Sequence, residues 1–314
     1  MAHPNTQWPE LPYTKWRDTA ATLQLWTQVV GKVRLALTPW VNHSWHVPLY
    51  VTTRGLGTSP IPLGGENLEI EFDFIAHRLV LRSSRGDEQV IALAPQPVAE
   101  FYERVMHTLR GLGAEVVINE LPSELPEPIP FSEDYTHRSY DPVAAHAFWR
   151  ALVRVDHVFK YFRSGFIGKV SPVHFFWGSF DLAVTRFSGR RAPLHQGGVP
   201  GLSDAVVQEA YSHEVSSAGF WPGNDASPTA VLYSYAYPEP PGFRDRPVTA
   251  DAHFDAKMGE FILPYDTVRT APDPEDILLD FLSTTYAAAA DAGSWDRAQL
   301  ECPLGIPGRP RQLR

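Results

Sequence analysis

Imidazoles set among large rings are the chemistry-bearing pattern of this 314-residue chain. His43 and His46 stand in NHSWH, His174 in HFFWGSFD and His213 in YSHEVSSAGFWPG. Neutral imidazole ligates transition metals and acts as a general base near neutral pH. Two kinds of chemistry follow. As acid–base machinery, His174 and His213 would work with Asp181 or Glu214 as the carboxylate. As a metal site, His43, His46 and His174 would supply three nitrogens, although HxxH spacing suits a loop or helical turn better than a strand. The rings nearby would wall a pocket: Trp45, Phe176, Trp177, Tyr211 and Trp221, with Arg186 placed to grip a carboxylate or phosphate. Against this stands the plainer expectation that a histidine beside aromatics is a satisfied core residue.

Strand parity constrains the site. In a regular strand over 208–216, His213 and Glu214 point to opposite faces, so Glu214 joins His213 only if the strand breaks at Ser212. His174 shares a face with Phe176, and Val173, Phe175 and Trp177 share the other. Gly178 offers a bulge, which leaves the side of Asp181 open. Tyr233, Tyr235 and Tyr237 share one strand face and read as half-buried sheet residues, with a hydroxyl-bearing pocket wall as the alternative. The sequence holds no Walker loop, GxGxxG, HExxH, GxSxG or paired CxxC, so no cofactor is implied and its identity stays unknown. HQGGVPG lacks the lysine and helix of a phosphate cradle and reads as a flexible loop.

The elements that must carry these residues are written twice. Trp16-Arg17 leads a helix to Gly31-Lys32-Val33, and Trp149-Arg150 leads another to Gly168-Lys169-Val170. After each GKV come a proline, a histidine, a tryptophan and a strand. Leu23, Trp26, Val30, Val33 and Leu37 form one apolar stripe; Phe148, Leu152, Val155, Phe159 and Phe162 form another. Strands are expected over 47–54, 68–74, 79–83 and 88–93, then a helix over 98–110. Leu68, Ile70, Phe72 and Phe74 alternate with acids, as a half-buried strand requires. In the second copy strands are expected over 172–187, 208–216, 230–237 and 260–264. A helix from Asp273 follows, its start marked by Asp-Pro. The expected fold is α+β, with two tandem related halves, each helix–four-stranded antiparallel sheet–helix. Residues 1–125 form the first half, 126–145 a Pro-rich linker, and 146–314 the second half with inserted loops and a Pro-rich tail.

These motifs carry a resemblance. WRDTAATLQLWTQVVGKVRLAL, NHSWHVPLYVTTRGL, SPVHFFWGSFDLAVTRFSGRRAP, YSHEVSSAGFWPG and YAYPEPPGF together resemble a bacterial family of uncharacterised proteins, the domain of unknown function 5996, from about Trp8 to Pro303. The resemblance implies one full-length member and no particular reaction.

Composition narrows the function classes. A formal charge of −9 and a pI near 5.7 argue against a nucleic-acid backbone or an anionic membrane as partner. No apolar run reaches the ~18 residues of a spanning helix, and the N-terminus lacks the pattern of a secretory leader. One cysteine, Cys302, allows no intrachain disulfide, which suits the cytoplasm. The reading that fits best is a cytoplasmic small-molecule enzyme with a histidine-containing, aromatic-lined cleft between the halves. A non-catalytic ligand-binding or sensory protein would use the same pocket. An interaction module would instead use the Pro-rich PEPIPF and YAYPEPPGF segments. Oligomeric state is left open.

Overall fold

A computed structural model describes residues 8–311. The expectation that the chain has no leader falls partly on residues 1–7, outside the described residues. Helix α1 (Tyr13–Leu37) runs through the middle of the molecule. The expected stripe is too narrow for it. Trp16, Leu23, Trp26, Val30 and Val33 are buried, and so are Thr22, Thr27, Gln28, Lys32 and Arg34. A helix buried on every side must satisfy its polar groups locally or across to neighbours. Thr22 and Thr27 donate to carbonyls of α1 itself, and Gln28 both donates to and accepts from Ser123.

The first sheet holds β1 (Tyr50–Val51), β2 (Gly55–Gly57), β3 (Ile61–Leu63), β4 (Glu66–Asp73), β5 (Arg78–Ser83) and β6 (Glu88–Ala92), all antiparallel. Leu68, Ile70 and Phe72 turn inward as their alternation requires. The other face carries a charge ladder in which Asp73 takes Arg54 and Arg78, and Glu71 takes Arg82. The strand expected over 47–54 is interrupted. Thr52 accepts the amides of Arg54 and Gly55, closing a hydroxyl-capped turn that splits the segment between β1 and β2. Helix α2 (Val98–Gly111) then packs on α1.

Helix α3 (Pro142–Ser164) starts where Asp141 caps the amides of Val143 and Ala144. The second sheet holds β7 (His174–Phe176), β8 (Asp181–Arg191), β9 (His213–Trp221), β10 (Val231–Tyr237), β11 (His253–Asp255) and β12 (Glu260–Pro264), in the order β11-β12-β10-β9-β8-β7. Two expectations change here. Residues 172–187 form a hairpin, because the chain turns at 177–180, with Phe180 at a φ of 62°. Residues 204–210 form helix α4 (Asp204–Ala210), so the strand expected from 208 begins only at His213. The run DAVVQEA behind Ser203 is a good helical turn sequence, and it overrides the alternation seen downstream.

Helices α5 (Tyr265–Thr270), α6 (Pro274–Ala292) and α7 (Arg297–Leu300) follow, with Asp273 accepting the Asp276 amide as the Asp-Pro start predicts. Among the described residues the fold is therefore α+β, with seven α-helices and two six-stranded antiparallel sheets. Each sheet has six strands where four are expected. No helix among the described residues is long and apolar enough to cross a membrane.

The sheets meet at an antiparallel bridge, where Leu49 and Phe175 exchange backbone hydrogen bonds of 2.9 and 2.8 Å. One buried apolar cluster spans both sheets. Ring contacts and indole donors stitch it together: Trp16 lies 5.1 Å from Phe148, and Trp177 donates to the Val47 carbonyl at 2.9 Å. Gly31 is required at this crossing, since a Cβ there would lie 2.2 Å from the Trp177 indole.

Candidate functional site

The two faces of the second sheet have different fates. Leu182, Val184, Ala218, Phe220, Leu232 and Leu263 face α3 and α6 and are buried. The opposite face, set by the period of two, presents Asp181, Thr185, Ser217, Tyr233, Tyr235 and Glu260 to a cavity of about 660 Å³. Its roof comes from elsewhere in the chain: Lys32 and Leu35 of α1, Trp40 to Val47, the segment from Val117 to Glu124, and Val199 to Ala210. The loop around HQGGVPGL contributes Val199, Gly201 and Leu202 to the wall. A hollow of this size fits a drug-sized organic molecule.

Asp181 lies at the centre. The β7–β8 hairpin pairs it with Phe176, which fixes the side left open by the sequence. Ser179 donates to its Oδ1 at 2.5 Å and the Tyr233 hydroxyl donates to its Oδ2. Tyr233 reaches it because Gly219 lies beneath the ring, where a Cβ would meet the ring at 2.3 Å. Burial pushes the Asp181 carboxyl up, and these two hydrogen bonds oppose the shift. Glu124 approaches from the roof in a left-handed conformation (φ 60°), an arrangement that costs a non-glycine residue about 1 kcal/mol. Its amide is tied to the Pro200 carbonyl at 3.0 Å, and Gly178 leaves room for its carboxyl. Burial, then the neighbouring Asp181, pushes Glu124 up to about 7. Glu260 is also pushed up to about 7, by burial and then by Asp181 and Asp255. Hydroxyls complete the floor: Tyr211 and Tyr235 are 2.9 Å apart, and Thr185 and Ser217 2.8 Å. Lys32 donates to the Leu121 carbonyl at 2.5 Å, and burial lowers it to about 8.

The residues singled out from the sequence divide. Trp45, Phe176, Trp177, Tyr211, Trp221 and His43 line the cavity. Arg186 does not. Its guanidinium is buried over Phe162 at 3.5 Å, beside Tyr286 at 4.3 Å, and donates to the Phe162 carbonyl at 2.5 Å. It is a cation–π anchor of the core on the far side of the sheet, not a ligand grip. Glu214 points away from the cavity into an ion pair with Arg190 at 2.7 Å, with the Ser188 hydroxyl at 2.8 Å. The strand does not break at Ser212 in the way that would bring it beside His213.

The histidines are not gathered on one hollow. His43 Nδ1 lies 2.9 Å from the Ala210 carbonyl and so donates, which leaves Nε2 to accept from Lys169 at 2.6 Å. His213 has its ring 5.9 Å from that of His43, and its Nδ1 contacts the Ser212 hydroxyl at 3.1 Å. His174 lies behind Trp45 and Tyr50 and lines no part of the cavity. Burial, then Arg34 and Arg163, lowers it to about 3. His46 is buried against Trp40. Among the described residues no three His, Cys, Asp or Glu stand close enough to hold a metal ion, so His43, His46 and His174 do not form the expected triad. Each Pro-rich segment is anchored by one buried ring. PEPIPF buries Phe131 against Tyr102, and PEPPGF buries Phe243 against Phe254 and Phe261.

The carboxyl centre escapes the sequence reading for a physical reason. Asp181 is legible as one candidate carboxylate, but its side of the strand is not. Glu124 and Glu260 lie 57 and 79 residues from it in sequence and carry no local pattern. Gly219 within a strand, opposite a tyrosine ladder, was the one available signal.

The family model for a family of unknown function, DUF5996, matches residues 8–302. The chain belongs to that family. No curated protein and no solved structure matches it. The DUF5996 match covers α1, both sheets and α7, so the cavity and every residue lining it lie within the matched region.

The raised carboxyls set a pH dependence for this DUF5996 chain. Glu124 and Glu260 ionise near 4.5 when unfolded and near 7 when folded. Between those values the unfolded chain releases protons that the folded chain keeps, so their contribution to stability falls as pH rises and levels off above about 7. His174, lowered from 6.5, pushes stability the other way below that value. The difference between variants isolates the carboxyl effect. Urea midpoints from about pH 5 to 8 are expected to fall less for Glu124→Gln/Glu260→Gln than for wild type. Parallel pH profiles would show that the two groups titrate normally.

Proposed function

We propose that the protein is a small-molecule enzyme whose substrate occupies the cavity on the second sheet, with carboxyls in place of imidazoles as its acid–base groups. The observation that carries this reading is that Glu124 and Glu260, each near 7, line the same hollow as the hydrogen-bonded Asp181, whose charge reaches both. Carboxyls held in unlike environments are the arrangement by which a site keeps one acid protonated and its partner ionised at neutral pH. Asp181, whose two hydroxyl donors favour its charged form against the opposing effect of burial, is assigned the ionised role. Glu124 and Glu260 are the groups poised to give or take a proton. Trp45, Trp177 and Trp221 supply the water-excluding wall and the stacking surface.

The cavity joins one sheet to a roof drawn in part from the other half of the chain. That fits a tandem arrangement of residues 1–125 and 146–314 about the linker 126–145. Antiparallel pairing of the two matched segments at Leu49 and Phe175 is what a two-fold relation between them would produce. The lone thiol of Cys302 keeps a cytoplasmic setting in view.

The test is turnover without a chosen substrate. Purified protein is incubated with fractionated small-molecule extract, and mass spectra are followed with time. Features are expected to be consumed by wild type and left intact by Asp181→Asn. If molecules are retained by the protein but none is converted, the cavity serves binding and the enzymatic reading fails.

A further inference from the structure

Behind the tryptophan wall of the cavity lies a group of side chains that the acid–base reading leaves unused. Arg34, near the end of α1, is buried, 6% exposed, and has no protein partner for Nε or Nη1. It donates from Nη2 to the Ser59 hydroxyl at 3.3 Å and also meets the Tyr50 hydroxyl. The guanidinium lies over the Tyr50 ring, 5.1 Å from its centroid. His46 and His174, 3% and 1% exposed, each leave one ring nitrogen without a partner, Nε2 and Nδ1 respectively.

The tautomers make those nitrogens donors. His46 Nδ1 has the Val41 amide at 3.1 Å and the Val41 carbonyl farther away at 3.3 Å. In the tautomer whose Nδ1 accepts from the Val41 amide, the ring proton is on Nε2. His174 Nε2 faces the Tyr50 hydroxyl at 3.4 Å and accepts from it, which puts the proton on Nδ1. Arg34 makes itself felt electrostatically at both imidazoles, and burial keeps both neutral. Other charges that reach the group are Arg163, whose Nε is spent on the Ser171 carbonyl, and Glu209, whose carboxylate is spent on the Trp40 indole at 2.5 Å. Four N–H groups without a partner among the described residues and one fixed positive charge thus exceed what the Tyr50 hydroxyl, which Arg34 also meets, can accept. An unpaired buried cation is strongly disfavoured unless a counter-charge is supplied.

We propose that Arg34, His46 and His174 form an internal binding site for a small monovalent inorganic anion of halide type. One guanidinium matches one negative charge, and the neutral imidazoles add directed N–H groups without calling for a second. Arg34, His46 and His174 line no part of the cavity, so the occupant is a free ion rather than an arm of the cavity's ligand. Trp40 and Trp45 stand between the two, each against one of the imidazoles. An ion here fixes the back of the wall that the substrate meets. His46 of NHSWH and His174 of HFFWGSFD then serve anion binding in place of metal ligation.

Crystals in sodium bromide, measured at the bromine edge, are expected to show an anomalous peak in contact with the Arg34 guanidinium. Melting in sodium chloride against sodium gluconate at equal ionic strength is expected to give a rise of roughly 2–4 °C that saturates with chloride. Arg34→Met is expected to melt at one temperature in both salts. Absence of the bromine peak overturns the proposal, as does chloride-independent melting of wild type or a full chloride rise in Arg34→Met. Should Arg34→Met fail to fold, the bromine peak on wild type decides alone.

Discussion

Exchanging Glu124 for glutamine is expected to lower turnover at the cavity about 10²–10⁴-fold, the usual contribution of one positioned proton-transfer group. Shape and hydrogen-bonding capacity change little, so the loss reports the proton itself. The backbone at Glu124 is held by the Pro200 carbonyl and is unaffected by the exchange. Melting temperature is expected to stay level or rise near neutral pH, because a carboxyl that resists ionisation in the fold is replaced by a neutral group. Substrate turnover measured across pH, alongside thermal unfolding, checks both. A variant as active as wild type would remove Glu124 from the chemistry. Loss of activity together with a collapsed melting curve would instead assign it a supporting role.

The largest loss of stability is expected at Trp26. Its side chain is fully buried at the centre of α1, stacked on Phe101 at 4.7 Å and Tyr140 at 5.6 Å. Trp26→Ala removes that packing and leaves a cavity at the meeting of α1, α2 and the chain leading into α3, at a cost of about 3–5 kcal/mol. Trp26→Phe keeps a ring and removes an indole N–H that has no partner, so its cost is expected to be well under half as large. Urea unfolding midpoints at equal m-values measure both. A Trp26→Ala midpoint close to wild type would mean that the stack contributes little.

What the sequence revealed depended on how local the cause was. Alternation in β4 and the Asp-Pro start of α6 are written in adjacent residues, and both are legible. The hairpin at 177–180 was not, because a left-handed phenylalanine is dictated by packing of the rings of Phe148 and Phe175 around it. The helix over 204–210 was lost to a strand expectation because its apolar residues are too few to show a period. For the site, the aromatic wall was readable from ring density. The carboxyl centre was not, since it is assembled from a hairpin, a roof segment and an edge-proximal strand. Arg186 misled because a strand-end arginine looks solvated until the rings of Phe162, Phe166 and Tyr286 are seen to enclose it.

The crossing of Trp177 over Gly31 has a consequence for synthesis on the ribosome. Helix α1 emerges early, yet the indole that covers its glycine and the Phe148 ring that covers Trp16 are made well over a hundred residues later. The nascent N-terminal portion must wait with greasy flanks bare, a long-range dependence that slows assembly and invites chaperone attention.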